Sequence, residues 1–165
     1  MQCLAYFFEE RMTEFDTREK LEEIVPHRGK MLLLDRIVDV DYEQKLVSAE
    51  IDISEKSLFY EESLGGVPVW ISFEYMAQAI SALSGILGRM SGTSPKMGMI
   101  LSVSDFLAEE QAFLCGKTVR VNVRETIRTG SVFSFDGEAF VGDRRFATAT
   151  IRVAEVSEPE KFLGG

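Results

Sequence analysis

The residues best suited to chemistry sit in one stretch, Pro68-Val69-Trp70-Ile71-Ser72-Phe73-Glu74-Tyr75-Met76-Ala77-Gln78-Ala79. Glu74 is the one carboxylate in a run that stays apolar or small through Ile80, Ala82, Leu83, Gly85, Ile86, Leu87 and Gly88. A helix with so narrow a polar face must be wrapped by other elements. Its carboxylate is then either a partner of the helix dipole or an acid/base group in a dry cleft. The first use needs no function, since an acid in the first turn gains about 0.3–1 kcal/mol from the macrodipole. The second makes Glu74 a proton donor or acceptor. Gln78, one turn on at i+4, reaches the same carboxyl, though it serves equally as an interface residue. Trp70 and Phe73 either line a ligand tunnel or pack in the core, and core is the simpler reading.

Local signals position these groups. Ser72 reads as the N-cap of a helix over 72–91, closing near Gly92 and about 30 Å long. Asp16-Thr17-Arg18-Glu19 opens a short helix that Pro26 ends. After the turn His27-Arg28-Gly29-Lys30, the run Met31-Leu32-Leu33-Leu34 reads as a buried strand continuing to Val40. Val47, Ala49, Ile51 and Ile53 alternate on one face of the next strand, and 41–45 joins the two as a hairpin. Residues 54–71 are irregular. Further strands follow over 96–107, 117–128, 131–141 and 145–153, with turns at Gly130-Ser131 and Gly142-Asp143. One long apolar helix and five or six antiparallel strands bury each other if the sheet curves around the helix. That is an α+β architecture, the hotdog arrangement. Its open edge strand favours at least a dimer.

Composition sets the bounds. The chain has 165 residues, 45% hydrophobic and 27% charged, with a net charge of −9. That length suits one domain, here 12–155, between a loose arm (1–11) and a frayed tail (156–165). The acidic balance excludes a nucleic-acid binder. Cys3 and Cys115 are too few for a disulfide framework, and no segment reads as a membrane span or a secretory signal, so a cytoplasmic protein is expected. No metal or cofactor is expected.

Two segments carry a resemblance. Val25-Pro26-His27-Arg28-Gly29-Lys30-Met31-Leu32-Leu33-Leu34-Asp35-Arg36 resembles the PHR…LL.DR motif of bacterial β-hydroxyacyl-ACP dehydratases of the FabA/FabZ type. Val67-Pro68 through Glu74-Tyr75-Met76-Ala77-Gln78-Ala79 resembles their P-x(5)-E-x-M-A-Q-A helix start. Order and separation fit over residues 20–154, and Gly-Val-Pro-x-Trp with Glu-Tyr-Met-Ala-Gln is most similar to the ApeP-like branch of aryl polyene synthesis.

The resemblance implies dehydration of a 3-hydroxyacyl thioester on an acyl carrier protein to a trans-2-enoyl thioester, in fatty-acid or aryl polyene synthesis. In the family a loop histidine removes the α proton. A helix carboxyl from the other subunit protonates the departing hydroxyl. Glu74 takes the carboxyl's place, but the histidine's place falls at Tyr60, where Tyr60-Glu61-Glu62 stands for His-Phe-Pro. Tyr60 is a poor base unless its pKa is strongly depressed. His27, the chain's only histidine, reads first as structural and second as a base. Alternatively Glu74 alone shuttles the proton in a syn elimination, with the Val69 N–H steadying the enolate. Glu74 and His27 are thus the candidate catalytic residues, and Val69, Trp70, Tyr60 and Gln78 the candidate substrate contacts.

Docking an acidic carrier requires a local basic patch. Arg89 and Lys96 flank the helix end, and Arg120, Arg124 and Arg128 form a stripe that reads most simply as a solvated sheet face. Two rivals stand beside the dehydratase. One is a hotdog thioesterase, whose helix carboxylate activates water. The other is a partly catalytic subunit whose related partner supplies the histidine, so homodimer and heterodimer both stay open.

Overall fold

The computed structural model describes residues 14–93 and 97–156. The expected arm 1–11 lies outside them, as does the expected tail apart from Val156, which ends the last strand. Helix α1 (Arg18–Leu21) opens at Thr17, whose hydroxyl accepts the Lys20 N–H at 3.4 Å. The strands in chain order are β1 (Arg36–Asp41), β2 (Leu46–Asp52), β3 (Gly66–Pro68), β4 (Met97–Ala108), β5 (Ala112–Leu114), β6 (Thr118–Thr129), β7 (Val132–Val141) and β8 (Arg144–Val156). The long helix α2 (Ser72–Met90) lies between β3 and β4. Six strands form one antiparallel sheet in the order β1-β2-β6-β7-β8-β4, while β3 pairs with β5 as a separate ribbon.

The alternation in the sequence sets which face of the sheet is dry. Val119, Val121 and Val123 of β6 are at most 1% exposed, as are Val47 and Ala49 opposite them on β2. Helix α2 packs on this face, against β2, β6, β7 and β8, burying Tyr75, Met76, Ala79, Ile80, Leu83 and Ile86. Two glycines permit the close approach. A Cβ on Gly137 would lie 2.6 Å from Met76 Sδ, and one on Gly85 would lie 2.1 Å from the Ile24 carbonyl oxygen. The result is the hotdog fold, a sheet curved around one long helix.

Two local expectations fail for identifiable reasons. Met31-Leu32-Leu33-Leu34 is not a strand. Gly29–Met31 forms a 3₁₀ turn, and β1 begins only at Arg36. The backbone there finds side-chain partners instead of a neighbouring strand. The Arg18 guanidinium donates to the carbonyls of Gly29, Leu32 and Leu34, and Gln78 bonds Met31 and Leu33. Leu32 and Leu34 are still fully buried, worth about 1.5–3 kcal/mol each. Ser72 is not an N-cap either. A 3₁₀ turn, Val69–Ile71, runs straight into α2, and the buried Ser72 hydroxyl has no hydrogen-bond partner among the described residues.

The two edges of the sheet differ. At the β1 edge Arg36 bridges Glu50 and Asp52, and the Ile37 N–H donates to Phe15 O at 2.9 Å. At the β4 edge Met99, Ile100, Leu101, Val103 and Leu107 are exposed, each between 37% and 66%.

Candidate active site

Glu74 stands in the first turn of α2, where the positive end of the helix dipole favours a carboxylate. The β3–β5 ribbon and the 3₁₀ turn that follows it aim the helix. Pro68, at φ −54°, leads directly into that turn, a backbone angle its ring imposes. The Glu74 side chain is 27% exposed, so it is reachable yet partly withdrawn from water.

One group from the next helical turn and one from a distant loop meet this carboxylate. The Gln78 Nε2 donates to Glu74 Oε1 at 3.0 Å, and His27 Nε2 lies 3.9 Å from the same oxygen. The second distance exceeds a direct hydrogen bond by about 1 Å. The His27 Nδ1 is buried without a hydrogen-bond partner among the described residues. An imidazole and a carboxylate paired within one chain can exchange protons with a bound molecule.

The remaining candidates are placed differently. Gln78 is fully buried, and its amide is spent on Glu74, Met31 and Leu33. The expected substrate contact at Gln78 therefore falls on a side chain with no exposed surface. The Val69 N–H donates to Gln111 O at 3.0 Å, and the Val69 side chain is 1% exposed. In this arrangement it is not a free oxyanion donor. Trp70 is 55% exposed and stacks on Phe73 at 6.4 Å, so the core reading fails for Trp70, which offers an apolar surface four residues from Glu74. Tyr60 makes no hydrogen bond or ion pair to Glu74 or His27 among the described residues. Desolvation, then the charges of Glu55, Cys115 and Glu62, push its phenol above the ordinary value, away from service as a base.

Sequence reasoning missed Arg18, which pins the carbonyls of the loop leading from His27 toward β1, and the backbone of Met31 and Leu33. No local signal marks either, because the partners lie 11 to 47 residues apart. The arginine stripe is partly neutralised as a sheet face. Arg120 pairs with Glu50 and Arg128 with Glu125, while Arg89 pairs with Glu23 and Glu14. Lys96 lies outside the described residues.

Comparison with known proteins identifies the family and the fold. The family model of ApeP-like proteins, described as ApeP dehydratase, matches residues 19–164. The chain belongs to the ApeP-like dehydratase family. A 3-hydroxyacyl-[acyl-carrier-protein] dehydratase FabZ of Koribacter versatilis is 28% identical over 145 residues, covering 86% of this chain and 90% of that protein. Among solved structures, the dehydratase heterocomplex ApeI:P of Xenorhabdus doucetiae superposes with a TM-score of 0.79 at 22% identity, over 88% of this chain and 97% of that one. A hypothetical thioesterase of Streptococcus pneumoniae with coenzyme A gives 0.57 at 15% identity, over 73% of this chain and 84% of that one. At those identities the structural likenesses establish the hotdog fold of this ApeP-like chain. No helix among the described residues is long and apolar enough to cross a membrane.

Proposed function

We propose that this ApeP-like dehydratase acts in the cytoplasm on a 3-hydroxyacyl group carried as a thioester on an acyl carrier protein, in fatty-acid or aryl polyene synthesis. The observation that carries the reading is the Glu74 carboxylate, held by Gln78 at 3.0 Å and faced by His27 at 3.9 Å in the same chain. Glu74 accepts the Cα proton and delivers it to the departing hydroxyl. The Cα–H and Cβ–O bonds break, the double bond forms, water leaves and the carboxylate is restored. His27 stands beside the carboxylate, and the helix dipole favours the negative charge that develops nearby. Tyr60 stands at the place of the family's loop histidine and is not the base. Trp70 and Phe73 offer apolar contact to the acyl chain.

The exposed apolar edge at β4 supports assembly through that strand, since an open strand rich in apolar side chains is a template for pairing. It also favours a second reading, in which a related hotdog subunit binds there and supplies a histidine to a shared site. The likeness to a dehydratase heterocomplex points the same way.

The test is intact-mass analysis of 3-hydroxyacyl carrier protein after incubation with the purified chain alone, with native mass spectrometry to count subunits. Loss of one water with the acyl group retained is the expected result. An unchanged mass favours the heterodimer, and release of the acyl group refutes the dehydratase reading in favour of a thioesterase.

A further inference from the structure

We infer that Arg18 is the positioning residue for His27: its guanidinium grips the backbone that follows the His27 turn, and that backbone sets the imidazole beside Glu74. The inference rests on Glu74 and His27 forming the reacting site, as proposed above.

The ring has no hydrogen bond of its own to hold it. His27 Nδ1 is buried without a partner among the described residues. Nε2 lies 3.9 Å from Glu74 Oε1, beyond a direct hydrogen bond. The ring's position is therefore the position of its backbone. Residues 27–35 belong to no strand, so that backbone must be fixed by side chains.

The short helix α1 ties the segment at both ends. The Leu21 carbonyl, at the end of α1, accepts the Ile24 and Val25 N–H groups at 3.0 Å, just before the turn. Arg18, at the start of α1, reaches past the turn. One terminal nitrogen donates to Gly29 O at 3.0 Å and to Leu32 O. The other donates to Leu34 O at 3.5 Å and to Asp35 Oδ1 at 3.2 Å. The second Asp35 oxygen accepts the Asp52 N–H of β2 at 2.7 Å, which fixes the guanidinium to the sheet. Arg28 closes the turn within itself, donating to Val25 O and His27 O at 2.6 and 2.8 Å. Only a fork serves both of Arg18's sets of acceptors, because a lysine presents all its donors on one nitrogen. A displacement of about 1 Å in a reacting group is enough to cost rate. The Arg18 side chain is 43% exposed, so replacing it empties no core.

His27 is the chain's only histidine, so its imidazole signals stand alone in an NMR spectrum when the purification tag carries none. The experiment compares those signals in the full chain and in Arg18→Lys, which keeps the charge beside Asp35 but not the fork. We expect them to move or broaden, while an Arg120→Ala control on the sheet face leaves them in place. Unchanged signals in Arg18→Lys overturn the inference. Steady-state dehydration by the same proteins, assembled with a hotdog partner if turnover requires one, supplies the second readout. Arg18→Lys should lower kcat about 3–10-fold with KM within about twofold. Added to His27→Gln it should cost less than about twofold more, since the ring it places is already gone. A merely structural Arg18 lowers Tm and either leaves kcat per folded site alone or lowers it equally in both backgrounds, and either result overturns the inference. If Arg18→Lys does not fold, Arg18→Gln reads the same two points. Glu74→Gln separates the two ideas. Full turnover there removes the reading of the site, whereas the His27 signals still decide whether Arg18 places the ring.

Discussion

The β6–β8 part of the sheet and the corner where residues 27–34 meet the start of α2 satisfy their backbones in opposite ways. In the sheet, strand bonds to strand in continuous antiparallel register, interrupted by single irregularities, and side chains are left to pack inward or pair outward. In the corner, Arg18 and Gln78 side chains replace the missing strand. The sheet can lose a surface side chain and keep its ladder. The corner cannot, because its side chains are its scaffold, and that scaffold also holds the Glu74 carboxylate.

The sharpest way to break this contrast is Glu74→Gln. It keeps the amide-sized shape and should remove at least about 10²-fold of turnover, with a thermal midpoint shifted by no more than about 2 °C. Equal turnover in the mass assay would mean that the corner is only a structural joint. Gly85→Ala tests how closely α2 rests on the segment before the loop. Helix propensity alone favours alanine by about 1 kcal/mol. The new Cβ would lie 2.1 Å from the Ile24 carbonyl oxygen, and backbone does not yield cheaply. Urea melts should therefore show a net loss of about 2–3 kcal/mol.

On the proposed roles, His27→Gln should lower turnover by about tenfold, less than Glu74→Gln. A loss as large as that of Glu74→Gln would promote His27 to the base. On the sheet, Arg128 first and then Lys45 hold the Glu125 carboxyl below its ordinary range. A depressed folded pKa stabilises above the unfolded value and is lost as pH falls through the folded one. Melts of Arg128→Ala should therefore lose part of the acid sensitivity that the wild type shows below about pH 4.3. Arg120→Ala, which breaks an exposed pair with Glu50, should cost less than about 1 kcal/mol and leave turnover unchanged. A larger effect on turnover would make the sheet face part of the site.

Much of this molecule was legible in its residues. The apolar run from Ile80 to Gly88 demanded a wrapped helix, and the alternation of Val119, Val121 and Val123 with Arg120, Asn122 and Arg124 demanded a sheet with one dry face. Both signals are periodic and local, so they survive without knowledge of any partner. Glu74 also stood out, as the one charge where none belonged. Met31 to Leu34 misled because hydrophobic content reports burial, whereas strand formation needs a neighbouring strand to bond.

The sequence by itself determined the helix, the alternating strands, the hotdog architecture that packs them together, and the carboxylate at the helix start. Only the tertiary structure decided that His27 closes on Glu74, that Gln78 also grips Met31 and Leu33, that Trp70 faces outward, and that Val69 gives its N–H to Gln111. The physical reason is range. Helices and strands follow from bonds and burial repeated every few residues. A site assembled across 45 to 47 residues of chain by single side-chain hydrogen bonds leaves no period for a sequence to display.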